Sequence, residues 1–522
     1  MELKNIAELQ KATKRGQKEV FRLGIGLLFV LGIMLYATLT LEVSGTQGSI
    51  LIIAAMIAGY MAMNIGANDV ANNVAPAVGS KSLTMTSAII IAATFEMMGA
   101  LIAGGDVVST IRGGIIDQNM IADGNRFIWV MTSALLAGAL WLNFATLVGA
   151  PVSTTHSIVG AVLGAGLAAG GMDIVNWSVM SSIILSWVVS PLLGGLVAAG
   201  FLYWIKRSIT YQPDMISAAK RTVPLLIGIM SFAFTTYLIL KGLNKIWRVE
   251  FLTALLIGVA VGVVTWFLVR PLVNARANAI EPNKTGINSL FTVPLIFSAA
   301  LLSFAHGAND VANAIGPLAA IVDTVLQGNV SSKAEIPLWV MVVGAIGISL
   351  GLMLYGPKLI RTVGGEITEL DQMRAFCIAM SASLTVIAAS QLGLPVSSTH
   401  IAIGGIFGVG FLRERLKTQY ARMIEEIRLH HSGADKEQVE SFLLKFTKAD
   451  MKGKKAMLKQ LKAHSAEVLL SNKERKKMKR VYREELVKRS ALFKILAAWI
   501  ITVPVSALLA GVIFYLVQLS GY

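Results

Sequence analysis

Long apolar runs separated by short polar connections recur along almost the whole chain, and runs such as Ile50 to Ala62 and Leu252 to Leu268 are almost continuously apolar. A strand of a membrane barrel would alternate apolar and polar positions, so a barrel is excluded. A helix needs about 20 apolar residues to cross roughly 30 Å of hydrocarbon, and in lipid its backbone groups must pair within the segment. The pattern predicts an all-α polytopic membrane protein. Helices are expected near residues 23–41, 48–66, 84–104, 176–204, 223–240 and 250–270, with a last one at 491–519. The apolar pair 127–148 and 152–169 meets at Pro151 with no polar loop between its arms, and 373–411 turns in the same way at Pro395. Both read as re-entrant helical hairpins.

Composition sharpens this reading. The 522 residues are 55% hydrophobic and only 15% charged, with a mean hydropathy of +0.67, which excludes an ordinary soluble protein. The N-terminal segment carries six Lys/Arg against three Glu up to Arg22, followed by an apolar run from Leu23 to Leu41. That run is too long for a cleaved signal peptide and reads as an uncleaved first helix. A single cysteine, Cys377, rules out an intrachain disulfide or a thiolate zinc cluster and is expected to be a packing residue.

Two phrases occur twice. Gly66-Ala67-Asn68-Asp69-Val70-Ala71-Asn72 is repeated without change as Gly307-Ala308-Asn309-Asp310-Val311-Ala312-Asn313, 241 residues on. Pro151-Val152-Ser153-Thr154-Thr155-His156 is echoed by Pro395-Val396-Ser397-Ser398-Thr399-His400, 244 residues on. A weaker match pairs Thr110-Ile111-Arg112-Gly113-Gly114 with Thr362-Val363-Gly364-Gly365. The chain is therefore read as a duplication. Its expected divisions are a tail and extra helix (1–47), a first repeat (48–204), connecting helices (205–288), a second repeat (289–412), a basic loop (413–490) and a final helix (491–522).

Placing basic loops on the cytoplasmic side gives the orientation. With the tail inside, Lys206, Arg207, Lys220, Arg221, Arg270, Arg276 and Lys284 all fall inside, and the two copies run in opposite directions. Inverted-topology repeats are expected, each with a broken motif helix and a re-entrant hairpin. The segment 413–489 holds 22 Lys/Arg against 11 Asp/Glu, eleven of the chain's net +16. It reads as a solvated cytoplasmic loop or a surface for anionic lipid heads. No recognised motif or interleaved aromatics accompany the charge, so no nucleic-acid partner is expected.

An aspartate inside a spanning segment costs about 2.5–3.5 kcal/mol, so Asp69 and Asp310 point to function. Each has an Asn before it and another three residues after it: Asn68 and Asn72, then Asn309 and Asn313. Glycine lets the helix unwind there, and freed carbonyls with Asn and Asp oxygens suit a hard cation, with Asp69 and Asp310 as the metal ligands if it is sodium. In the second phrase, hydroxyl residues follow a proline and open a helix, where free N–H groups and the helix dipole attract an anion. Ser153, Thr154, Thr155, Ser397, Ser398 and Thr399 are therefore the candidate substrate ligands. Glu96, 27 residues after Asp69, is a further candidate for a cation or proton, and no acidic residue between 336 and 365 stands as its counterpart. His156 and His400 are expected to pack or hydrogen-bond rather than carry protons.

The shared phrases contain no Lys or Arg, so two ionised aspartates and a divalent oxyanion would sum to −4 in a low-dielectric site. Each uncompensated charge there costs several kcal/mol, so cations must enter with the anion. On these residues, over about 48–412 and the last helix, the chain resembles the PiT-type inorganic phosphate transporters. The resemblance implies cation-coupled symport of inorganic phosphate by alternating access, a secondary active transporter rather than an enzyme. It also implies a homodimer in the cell membrane, plasma or inner, and a central site made from both phrases. No cofactor is expected beyond co-transported Na⁺ or H⁺. Competing readings are a sulfate carrier, a receptor or lipid-tethered scaffold, and an intramembrane hydrolase using Ser153, His156 and Asp69.

Overall fold

The computed structural model describes residues 2–41, 45–121, 123–242, 249–327, 336–366, 370–430 and 489–521. Among them seventeen α-helices occur and no β-strand. In chain order they are α1 (Glu2–Thr40), α2 (Gly45–Asn68), α3 (Ala71–Gly79), α4 (Met85–Ala103), α5 (Gly105–Gly113), α6 (Gly124–Val148), α7 (Thr154–Gly170), α8 (Trp177–Ile205) and α9 (Met215–Lys241). They continue as α10 (Phe251–Asn278), α11 (Lys284–Ser289), α12 (Thr292–Asp310), α13 (Ala312–Gln327), α14 (Leu338–Glu366), α15 (Gln372–Gln391), α16 (Ser398–His430) and α17 (Arg489–Leu519). Eleven stretches among the described residues are long and apolar enough to cross a membrane. The chain is an all-α, multi-pass membrane protein.

Most helix ends fall within a few residues of the expected ones, but α9 starts eight residues earlier, at Met215, α10 ends eight later, at Asn278, and three further differences stand out. First, α1 begins at Glu2 rather than near 23, because residues 2–22 are rich in Leu, Lys, Glu and Ala, contain no proline, and form the (i, i+3) pair Arg22 to Glu19 at 2.8 Å. Second, α16 continues to His430, past the boundary expected at 412. The rest of the basic loop, residues 431–488, lies outside the described residues. Third, the breaks in the two motif helices are tight. Only Asp69 and Val70 separate α2 from α3, and only Val311 separates α12 from α13. Short-range bonds, Asn72 N–H to Asp69 C=O and Ala314 N–H to Val311 C=O, carry the chain across each break. Pro76 in α3 and Pro317 in α13 then lack the N–H that would bond the carbonyls of Asn72 and Asn313, four residues back.

Glycines bring the halves together. A Cβ at Gly66 would overlap the Ile348 carbonyl, and one at Gly351 would overlap the Met63 carbonyl, so α2 and α14 cross in backbone contact. The crossing of α12 and α4 repeats this, with Gly307 against the Glu96 carbonyl and Gly99 against that of Phe304. Gly66 and Gly307 are 241 residues apart, whereas Ile348 follows Glu96 by 252, the offset of the weak Thr110 to Thr362 match. Each motif helix thus packs on a helix of the other copy at corresponding positions.

The hairpins are α6 with α7 and α15 with α16. Their turns hold Gly149 (φ 77°) and Gly393 (φ 66°), a left-handed conformation open to glycine at low cost. Ser153 caps α7 by accepting from the His156 N–H at 3.1 Å, and Ser397 caps α16 by accepting from the His400 N–H at 3.2 Å.

Candidate cation and oxyanion site

The two helix breaks and the two hairpin starts meet at one buried place. Asp69 and Asp310 are fully buried, as are Thr154 and Thr155, while Asn72, Asn313, Ser398 and Thr399 are at most 1% exposed. Thr154 joins the aspartates: its hydroxyl donates to Asp69 Oδ2 at 2.7 Å and lies 3.3 Å from Asp310 Oδ2. Ser398 Oγ approaches the same Asp310 oxygen at 3.4 Å. The asparagines reach across the duplication. Asn72 Nδ2 donates to Thr399 Oγ1 at 2.6 Å, and Asn313 Nδ2 lies 3.1 Å from both Thr154 Oγ1 and Thr155 Oγ1. Thr155 in turn donates to the Val396 carbonyl at 3.0 Å.

Each remaining candidate has a distinct geometry. The Ser153 and Ser397 hydroxyls are taken up in capping. Asn68 and Asn309 fasten the breaks to the hairpin turns, with Asn68 Nδ2 bonding Thr146 Oγ1 and the Ala150 carbonyl, and Asn309 Nδ2 bonding Ser390 Oγ and the Leu394 carbonyl. Glu96 touches neither aspartate. It accepts from Asn73 Nδ2 at 2.7 Å and pairs with His306 Nδ1 at 2.8 Å. His306 Nε2 lies 3.0 Å from Asp310 Oδ2 and 4.0 Å from Asp69 Oδ2. The 3.0 Å approach is close enough for an ion pair but lacks hydrogen-bond alignment, since Nε2 has no aligned partner among the described residues.

His306 and Asn73 had no assigned role at the sequence level, although one signal existed. His306 precedes Asp310 by four residues, so both fall on one face of a helix.

The donor set suits small ions of both signs. Buried oxygens without a hydrogen-bond partner among the described residues include Asn72 Oδ1, Asn309 Oδ1, Asn313 Oδ1 and Asp310 Oδ1. Buried polar atoms are normally satisfied, so these are ready acceptors for a hard cation. At the starts of α7 and α16, the N–H groups of Thr154, Thr155, Ser398 and Thr399 have no acceptor within their own helix. They form an anion-attracting end beside the carboxylates.

The hydrolase constellation is not assembled. Ser153 accepts from the backbone of His156, whose ring packs against Trp187 at 3.8 Å and His400 at 4.4 Å between centroids. His400 stacks on Trp499 at 3.6 Å, so both histidines are packing residues behind the hydroxyl loops.

With this geometry in view, the model of the phosphate transporter family matches residues 65–510. The chain belongs to that family. It is 54% identical over 524 residues, 98% of each chain, to a candidate phosphate permease of Helicobacter pylori strain ATCC 700392 / 26695. A candidate phosphate permease of Pyrococcus furiosus is 40% identical over 70% of this chain and 88% of its own. Among solved structures, a chain from "The sodium-dependent phosphate transporter" matches with a TM-score of 0.73 at 32% identity, covering 90% of this chain and 99% of that one. Both helix breaks and both hairpins of this chain lie within the matched span.

Proposed function

We propose that this protein carries inorganic phosphate across the membrane together with sodium, by alternating access to the site where the two copies meet. The observation that carries this reading is Thr154, whose hydroxyl opens one hairpin helix and spans the aspartates of both copies. Phosphate would be held by Thr154, Thr155, Ser398 and Thr399 with the helix-start N–H groups, inside the caps made by Ser153 and Ser397. Two sodium ions would bind, one on Asp69 and one on Asp310, with the amide oxygens of Asn72, Asn309 and Asn313 beside them, since oxygen-only coordination suits a hard cation and one monovalent cation would leave most of the negative charge unbalanced. The similarity to a sodium-dependent phosphate transporter favours sodium over protons.

Coupling follows from hydrogen-bond arithmetic. A threonine hydroxyl has one hydrogen, and in Thr154 it is given to Asp69. A cation on that carboxylate supplies the positive charge the hydroxyl was supplying, so Thr154 becomes free to donate to a phosphate oxygen. The anion then offsets the cation, and neither is held as well alone.

The test is uptake of labelled phosphate by proteoliposomes of the purified protein under an imposed sodium gradient at fixed pH, with sulfate as competitor. Sodium-driven accumulation that excess sulfate leaves intact is expected. Uptake that ignores sodium and follows a proton gradient would sink the sodium half of this proposal, and uptake abolished by sulfate would sink phosphate selectivity.

A further inference from the structure

The matched helix crossings allow the two halves to be compared residue by residue, and the comparison exposes one asymmetry. Where α12 crosses α4, three polar side chains form a buried chain: Asn73 to Glu96 at 2.7 Å, then Glu96 to His306 at 2.8 Å, ending against Asp310. By the offsets given above, the corresponding positions where α2 crosses α14 are Ala314, Ile348 and Ile65. Asn73, Glu96 and His306 are 0–1% exposed, and all three counterparts are fully buried and apolar. The backbone crossing needs no polar group there, since the apolar version packs with the same glycine contacts.

We propose that Asn73, Glu96 and His306 are positioning residues that make the two cation sites unequal by fixing the Asp310 carboxylate. His306 Nε2, Thr154 Oγ1 and Ser398 Oγ all crowd Oδ2 of Asp310, while its Oδ1 has no hydrogen-bond partner among the described residues. The Asp69 carboxylate is held differently: Thr154 donates to Oδ2 at 2.7 Å with His306 Nε2 further off at 4.0 Å, and only a 3.5 Å approach of Asn72 Nδ2 reaches Oδ1. A carboxylate whose rotation is already restrained loses less entropy on taking a cation, so the site built on Asp310 binds more tightly than the one built on Asp69. The ring of His306 can do this only while its other nitrogen is held, which is the task of Glu96, itself held by Asn73. Carboxylate support of this kind is a common way to orient an imidazole beside an ion site.

This inference rests on the cation role of the two aspartates, and the test separates the two ideas. Sodium binding to purified protein in detergent is measured by calorimetry at constant ionic strength without phosphate, for the wild type and for the combined variant Asn73→Ala, Glu96→Ile, His306→Ile. These are the residues the other half already accommodates. One sodium dissociation constant should rise at least about tenfold while the other stays within about twofold. The reverse exchange, Ile65→His, Ile348→Glu, Ala314→Asn, should tighten the weaker site instead. The single changes Glu96→Gln, which keeps shape, and His306→Gln, which keeps a polar side chain without the imidazole, should show the same selective loss if the combined variant is not folded. Two unchanged sodium constants in folded variants would overturn the positioning role and leave the symport reading standing. A wild type that binds no sodium would overturn both. A further readout separates positioning from general damage: the sodium concentration for half-maximal uptake should shift while the KM for phosphate at saturating sodium does not. A parallel rise in both would mark a merely structural role.

Discussion

The two halves share their phrases, their helix breaks and their capped hairpin starts, yet they differ in what stands behind each aspartate. Behind Asp69 the neighbouring crossing is apolar, with Ile65 and Ile348, whereas behind Asp310 stands the buried chain of Asn73, Glu96 and His306. The hairpin anchors differ as well. The turn of α15 and α16 is held by Thr110 of α5, which donates to the Gly393 carbonyl at 2.8 Å, while the turn of α6 and α7 is held by Lys358 of α14, which donates to the Leu147 carbonyl at 2.8 Å. In each case one copy anchors the other copy's hairpin. What the comparison teaches is that the repeated phrases supply the residues of the proposed ion site, and that the side chains one layer out, which are not repeated, are where its two sides differ.

The largest effect should come from the aspartates themselves. Asp69→Asn or Asp310→Asn removes one negative charge and weakens a cation ligand at once, so concentrative uptake should fall by about a hundredfold or more, as for a group that loses a charged contact of about 3 kcal/mol. Initial rates of labelled phosphate uptake in proteoliposomes check this. If Asp310→Asn still concentrates phosphate with normal sodium dependence, the second half contributes no cation site and the comparison between halves loses its basis.

How much of this was legible before any coordinates follows from where each residue sits relative to the repeated phrases. Asp69 and Asp310, the four flanking asparagines and the six hydroxyl residues lie inside them, and repetition marked them out without any knowledge of distance. The hairpins and most spans were legible because hydrophobic periodicity and a proline between two apolar arms are local signals. His306 falls one residue before the shared phrase and has Ile65 as its counterpart, so repetition hid it. Its partner Glu96 lies 210 residues away, and only the close crossing permitted by Gly99 and Gly307 brings the pair together. Which of the hydroxyl residues do the capping, Ser153 and Ser397, and that the helix breaks are single tight turns, depends on backbone angles that composition does not encode.

A smaller effect is expected from the hydroxyls, which offer a test of whether the halves hold the anion equally. Thr155→Val and Thr399→Val keep the shape of the side chain and remove one hydrogen-bonding group each. The KM for phosphate should rise about tenfold in either variant, the cost of one hydrogen bond of about 1.4 kcal/mol, with maximal uptake less affected. Thr399 also accepts from Asn72 at 2.6 Å, so its loss frees a cation-side asparagine, and the sodium dependence should shift in Thr399→Val as well. Equal, unchanged kinetics in both variants would place the substrate elsewhere.

The smallest effect, and the one that most directly probes the anchoring of each hairpin by the opposite copy, concerns Thr110 and Lys358. Thr110→Val removes the bond to Gly393, and Lys358→Met removes the bond to Leu147 while keeping an unbranched side chain of similar length. Neither bond involves a residue of the proposed ion site, so neither change should alter the affinity for sodium or phosphate at equilibrium. Both bonds cross between copies at a turn that must keep its helix start aligned, so their loss should slow the conformational step, lowering maximal uptake by about two- to fivefold for a bond worth about 0.5–1 kcal/mol. Thr110 is partly buried and Lys358 lies at an exposed site, where water replaces a lost partner more readily, so Thr110→Val should be the more damaging of the two. Calorimetric sodium binding alongside uptake velocity at saturating substrate distinguishes the cases. A velocity loss with unchanged binding supports anchoring, while equal velocities in both variants and the wild type would mean that the turns are held by the rest of the hairpin packing and that these two bonds are incidental.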